Sequence, residues 1–302
     1  MAEIILHHYA LSPFSEKIRR VLAYKGVPWR AVEQPIMMPK PELVPLTGGN
    51  RRIPAMQVGA DVYCDTACIA RRIEQLHPER PVIPQAAAGT VAMIEDWADH
   101  RLFMFAVPPT ILALFDDLPP GFIEDRRAMS PGFSREAIEA AAPHALEQAL
   151  HAFDQLDAQL ARSPYLLGAD FTLADAAAYH PVRFMQNAPE LAAHVAARPA
   201  LADWCGRIAG FGEGKVTPLS GAEALAAATA ATPADVDGGV PADAPFAAGD
   251  TVCIVADDYG PETTVGRLVR MQANEVVVLR EDAAVGEVAV HYPRAGYVVS
   301  RA

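Results

Sequence analysis

Residues 9–26, YALSPFSEKIRRVLAYKG, place Ser12 and Pro13 where a strand-like run hands over to a basic amphipathic helix. A hydroxyl at that point has two uses. As an N-cap it accepts a backbone N–H of the first turn, with proline following where it costs no hydrogen bond. Beside the positive end of the helix dipole it can instead donate to an incoming thiolate, and the uncapped backbone N–H groups add to the field. Local sequence leaves both readings standing. Two more stretches carry the same ambiguity. In RRIPAMQ, Pro54 opens a strand, which fits either an ordinary strand start or a bend or cis peptide that exposes the backbone of Ile53 to a ligand. Asp65 and Thr66 begin a helix, where their carboxylate and hydroxyl suit a ligand's ammonium and carboxylate, although acidic residues in a first turn are common on structural grounds.

The elements that must hold these residues follow from periodicity. Through residue 84 the chain alternates EIILHHY, FSEKIRRVLAYK closed by Gly26, WRAVEQ, IPAMQV, DVYC and TACIARRIEQLH, in the order βαβ then ββα. Glycine in the two-residue loop Gly59-Ala60 makes the second strand pair an antiparallel hairpin. Ile18, Val21 and Leu22 form the inner face of the first helix, and Lys17, Arg19, Arg20 and Lys25 are expected to face solvent. After HPERPVIP, a stiff proline-rich connector, helices are expected near 89–106, 109–116, 134–161, 172–185 and 199–209. Thr172 with Asp175, and Ser220 with Glu223, read as capping boxes. TPADVDGGVPADAP reads as a flexible linker, and from Phe246 short β-branched runs separated by Gly, Asn, Asp and Pro predict about five strands in a small barrel or roll.

Composition narrows the function classes. At 302 residues, half of them hydrophobic, the chain can bury several cores. A net charge of −12 argues against a nucleic-acid binder, which needs a basic surface, and DTVCIVADDYGPET puts acids on the β module. No apolar run spans a membrane and no leader precedes the first strand, so a cytoplasmic location is expected. The four cysteines read as reduced thiols, and Cys64 and Cys68 lack a matching second pair, so no metal site is expected.

Ser-Pro-Phe-Ser, Ile53-Pro54, Asp65-Thr66 and FTLADAAAY, in this order, resemble the glutathione transferase family over roughly residues 3 to 215. The resemblance implies a multidomain α+β protein: a thioredoxin-like glutathione-binding domain over 1–84, an all-helical domain over 88–232, and, outside the resemblance, a small all-β module over 246–302. It implies glutathione as co-substrate, with Ser12 stabilising its thiolate, Ile53 and a cis Pro54 clamping the cysteinyl unit, and Asp65 and Thr66 standing where a Glu-Ser pair usually holds the γ-glutamyl end. Asp65 is one methylene shorter than that glutamate. Arg52, Arg51 or Lys40 is the candidate for the glycyl carboxylate. Tyr9 is an alternative thiolate donor and Phe14 a further site candidate.

A thiol near pKa 8.5 is only about 3% ionised at pH 7, and lowering it by roughly two units is worth about 2.7 kcal/mol. A hydroxyl and a helix end can supply energies of that size. Serine cannot form a mixed disulfide, so conjugation, addition, isomerisation or peroxidase chemistry with a small electrophile is expected in place of glutaredoxin-like reduction. Trp97, His100, Arg101, Phe103, Met104 and Phe105 are expected mainly in the core, with one or two lining the electrophile pocket. A homodimer, and a protein partner for the β module, are further expectations. The alternative function is a catalytically weak scaffold for protein binding. The β module is expected to form by itself and to dock on the helical domain, because about 57 residues make a marginal core.

Overall fold

The computed structural model describes residues 3–302. In chain order its elements are β1 (Ile5–His8), α1 (Pro13–Lys25), β2 (Pro28–Glu33), α2 (Val44–Thr47), β3 (Ala55–Val58), β4 (Asp61–Cys64), α3 (Thr66–Leu76), α4 (Ala88–Asp96), a π-helical turn (Trp97–Leu102) and α5 (Phe103–Ala113). Then come α6 (Phe122–Met129), α7 (Arg135–Leu160), α8 (Leu173–Met185), α9 (Pro189–Ala196), α10 (Pro199–Ala209), β5 (Lys215–Pro218) and α11 (Gly221–Thr229). The last strands are β6 (Thr251–Ala256), β7 (Thr263–Met271), β8 (Glu275–Asp282), β9 (Gly286–Pro293) and β10 (Tyr297–Arg301). Two compact units divide the chain: one takes the residues up to Ser15 with Pro28–Arg72 and Lys215–Ala302, the other Glu16–Val27 and Ile73–Gly214.

The first unit is built on one ten-stranded sheet in the order β10-β6-β7-β8-β9-β4-β3-β1-β2-β5. Its thioredoxin-like part is the expected mixed sheet: β2 runs parallel to β1, and β3 pairs antiparallel with both β1 and β4. Gly59 makes the hairpin possible by taking φ +61, a conformation that L side chains rarely adopt. The five C-terminal strands form a meander whose last strand returns to pair with the first, so the predicted all-β module is present.

Its attachment differs from expectation. β9 runs parallel to β4, with Val62 opposite Val290 and Tyr63 opposite His291, so the module extends the thioredoxin-like sheet where docking on the helical domain was expected. The cores merge as well: Val62, Cys64 and Leu46 pack in one cluster with Val252, Ile254, Leu268 and Val290. The physical reason is the marginal size of the module. Its strands bury apolar side chains that need surface from β4, and the unpaired edge of β4 is a ready template for a further strand. Val298 of β10 lies outside this core and is 49% exposed. The expected flexible linker is tethered: the backbone N–H groups of Ala234 and Asp235 donate to the Asp61 carboxylate at 2.9 and 3.0 Å. β5 has no counterpart in the sequence reading. All four residues of KVTP are on the exposed side and lack an alternating pattern, and the segment becomes a strand only by pairing with β2.

The second unit is helical. α5 packs on α7, and α4 and α10 on α8. The Thr172–Asp175 capping box forms as expected, and the buried Asp175 also accepts from Leu166 N–H and from the Trp204 indole at 3.0 Å. Pro108 and Pro109 do not break the chain's helix as anticipated; they lie inside α5, which buries Ala106, Pro109, Thr110 and Ile111. The charged side of α1 is not solvated either. Lys17 is fully buried, with Nζ 2.7 Å from Glu95 and within hydrogen-bond distance of Asp99 at 2.5 Å, while Arg20 pairs with Glu16 and Glu213. Periodicity marked which face is charged; whether acids cover that face is decided by residues far along the chain.

Candidate functional site

Sheet register brings the chemistry-bearing residues to one end of the thioredoxin-like sheet. Ala55 lies opposite both His7 of β1 and Cys64 of β4. One step further, Pro54 is therefore level with His8 on one side and with Asp65 on the other, just where β1 turns toward Ser12 and β4 into α3. The Ile53-Pro54 peptide bond is cis. Because β2 runs parallel to β1, with Glu33 opposite His8, the segment that carries Lys40 leaves from the same end.

Ser12 closes a turn by donating its backbone N–H to Tyr9 O at 3.0 Å. Its Oγ accepts from Ser15 N at 3.1 Å, an N-cap of α1 that leaves the hydroxyl proton available for donation. The two readings of this serine are thus compatible, although Ser12 is only 2% exposed. Lys40 is buried, donates to Pro35 O, and has its ammonium 5.5 Å from the centre of the Tyr9 ring. Tyr9 and Phe14 are half-buried.

On the β4 side of this end of the sheet the C-terminal module intervenes. Asp65 has φ +75, a left-handed conformation that asparagine and aspartate tolerate best, and its Oδ1 caps α3 by accepting from Ala67 N at 2.8 Å. Its Oδ2 accepts from the Tyr297 hydroxyl at 3.3 Å. Thr66 is buried beside it. Arg52 presents two nitrogens to the two oxygens of Asp258, at 2.6 and 3.1 Å, and donates to Tyr259 O. The Tyr259 ring lies 4.3 Å from its guanidinium carbon. Arg51 lies 3.9 Å from Glu262. Between these groups is a cavity of about 10 Å³, room for one water, lined by Asn50, Arg52, Tyr259, Glu262, Tyr292 and Tyr297 among others.

Comparison with known proteins decides the family. Residues 6–81 match the model for the glutathione S-transferase N-terminal domain and residues 136–207 that for its C-terminal domain. The crystal structure of a GST-like protein from Pseudomonas syringae is similar over 100% of both chains, at 36% identity and a TM-score of 0.81. The chain belongs to the glutathione S-transferase family. The Pseudomonas syringae match extends through the C-terminal strands, whereas a Rhodospirillum rubrum glutathione S-transferase shares the fold over 70% of this chain and 89% of its own, at 18% identity and TM-score 0.55. Poplar glutathione transferase F1 does so over 71% and 96%, at 13% identity and TM-score 0.56. No curated protein matched the chain.

Electrostatics assign charge states within this glutathione S-transferase fold. Burial works against ionisation of Asp258, but the hydrogen bond and charge of Arg52 outweigh it and hold the carboxyl below its ordinary range. Burial and then the Asp65 charge push the Tyr297 phenol well up, so it stays a proton donor. Burial pushes His7 down to about 4, against the opposing effect of the hydrogen bond that its Nε2 donates to Gln57 Oε1, so this imidazole is neutral between Gln57 and Gln34. Burial likewise pushes the Cys64 thiol up to about 12 and raises Cys68, which suits packed side chains and not nucleophiles. Among the described residues no group of three His, Cys, Asp or Glu side chains is placed to hold a metal ion, and no helix is long and apolar enough to cross a membrane.

In the helical unit the aromatic and basic cluster differs from expectation. Trp97, His100, Arg101, Phe103, Met104 and Phe105 are half-buried or exposed, and the buried positions of this stretch are Ala98, Leu102 and Ala106. The buried positions Val91, Glu95, Ala98, Leu102, Ala106 and Pro109 recur every three to four residues, so the inner face of these helices is the one that carries them, and the aromatic and basic side chains lie off it. Asp258, Tyr259 and Tyr297 are the site residues missed in the sequence. The acidic run DDYG was legible, but its target, two adjacent arginines some two hundred residues earlier, was not.

Proposed function

We propose that the chain is a glutathione-dependent enzyme in which Ser12 stabilises the thiolate of bound glutathione for attack on a small electrophile. The supporting observation is the register that carries Ser12, Ile53-Pro54 and Asp65-Thr66 to one end of the sheet, each on the element that the family resemblance assigns to it. The Ser12 hydroxyl keeps its proton for the sulfur while its oxygen caps α1, and the helix end adds a favourable field. The Ile53 backbone beside Pro54 holds the cysteinyl unit, and Asp65 with Thr66 the γ-glutamyl end. Arg52, two residues before Pro54, is the cation for the glycyl carboxylate, and its present partner is Asp258 of the C-terminal module. Thiolate attack then needs no further acid or metal from this chain for conjugation. A homodimer and a cytoplasmic location complete the proposal.

Replacing Ser12→Ala is expected to lower turnover with a chloronitrobenzene-type electrophile about ten- to a hundredfold, or roughly 1.4–2.7 kcal/mol. Undiminished turnover would transfer the role to Tyr9. A second reading, a scaffold for protein binding with little catalysis, is favoured by one observation: Asp258 and Tyr297 already hold Arg52 and Asp65. Calorimetric titration with glutathione separates the two, since a scaffold gives no heat at millimolar ligand.

A further inference from the structure

We infer that the C-terminal module supplies the affinity-determining residues of the glutathione site, with Asp258 and Tyr297 occupying the positions that the ligand's charged ends would take. The inference rests on the glutathione reading of the site. A carboxylate ligand meets an arginine as two oxygens against two nitrogens, and Asp258 makes that contact with Arg52 at 2.6 and 3.1 Å. The Tyr259 ring covers one side of the guanidinium, and Tyr259 O takes a further donor. Arg51, the neighbouring cation, faces Glu262 from the same loop. Asp65, where a ligand ammonium would donate, accepts the Tyr297 hydroxyl. One module therefore presents an acid to the basic subsite and a donor to the acidic one.

The two contacts differ in how they can yield. Asp258 and Tyr259 lie in the loop between β6 and β7 and are exposed, so this segment can swing away without breaking the strand ladder. Tyr297 is fixed in β10, opposite Ala256, and its hydroxyl can be displaced only by a side-chain movement. The glycyl end of glutathione thus competes with a movable acid and the γ-glutamyl end with a fixed phenol. Both penalties vanish for a ligand that lacks the corresponding charge.

The test is calorimetric titration of the full chain and its Asp258→Ala and Tyr297→Phe variants with glutathione and with its glycyl ethyl ester, which lacks the free carboxylate. Asp258→Ala is expected to tighten glutathione five- to tenfold while leaving the ester unchanged. Tyr297→Phe, which keeps the ring and its packing, is expected to tighten both ligands two- to threefold. Equal or weaker glutathione binding by both variants overturns the inference and leaves the glutathione reading intact. Absence of binding by the wild type and by every variant at 10 mM ligand overturns both.

Discussion

Two buried histidines, His180 in the helical unit and His291 in the sheet unit, sit beside carboxylates and titrate in opposite directions. His180 Nε2 is 2.9 Å from Asp99, but Asp99 also pairs with Lys17, whose other partner is Glu95. Burial lowers the His180 pKa, Asp99 opposes that, and the Lys17 charge reinforces it. His291 lies between two acids, Asp61 at 3.3 Å and Glu275 at 3.2 Å, with Tyr63 stacked on its ring. Burial works against its charge too, but the hydrogen bonds and charges of Asp61 and Glu275 prevail and its pKa is raised. The lesson is that depth alone does not set a histidine's charge. What counts is the carboxylate left over once the other cations have taken their share.

The helical cluster offers the largest effect. Lys17→Met leaves Glu95 and Asp99 buried without their ammonium and is expected to cost about 3–5 kcal/mol in urea unfolding at pH 7. A loss below about 1 kcal/mol would put this cluster among exposed ion pairs and dissolve the contrast. Asp99 is held down to about 2, by Lys17 and His180 against the opposing effect of burial. Its stabilisation is therefore complete above its unfolded value near 3.9 and is lost as pH falls toward about 2.

The sheet cluster should respond with the other sign. A raised folded pKa makes the His291 contribution complete below its unfolded value near 6.5 and removes it as pH rises through the folded value. His291→Gln is expected to cost about 1–3 kcal/mol at pH 6, with the gap to wild type narrowing at alkaline pH. Because His7 lies in the same unit and titrates oppositely, the difference between variant and wild type is the quantity to follow. A gap that is flat from pH 5 to 9 would break the comparison.

The smallest effect sharpens it. The Tyr63 hydroxyl donates to Asp235 at 3.1 Å, while Asp235 keeps Arg270 at 2.8 Å and Arg72 at 3.2 Å. Tyr63→Phe is expected to cost about 0.5–1.5 kcal/mol in thermal or urea unfolding, since it removes one of several donors and retains the ring over His291. A cost near that of His291→Gln would mean that the phenol, and not the imidazole, holds this junction.

Local chemistry was legible in the sequence wherever one segment contains its own physical cause. Ser12 before Pro13 caps α1, Gly59 turns the hairpin, Thr172 and Asp175 start α8, and Ser220 and Glu223 start α11, each through contacts within a few residues. The β-branched runs after Phe246 became strands for the same reason: side-chain type and alternation suit a pleated, half-buried surface. The order of family motifs then pointed to the fold and to Ser12, Pro54, Asp65 and Thr66.

Tertiary structure alone decided which partners those segments found. Nothing local says that β9 runs along β4, because strand pairing is made by backbone groups common to every residue and is selected by the apolar surface left uncovered on both sides. Nor could spacing show that Lys17 meets Glu95 and Asp99 in the interior, or that Asp258 closes on Arg52 across 206 residues of chain. Charge attraction carries no sequence address. It is realised only between groups that the packing of the sheet and the helices has already brought within a few ångströms, where burial strips away the water that would otherwise screen them.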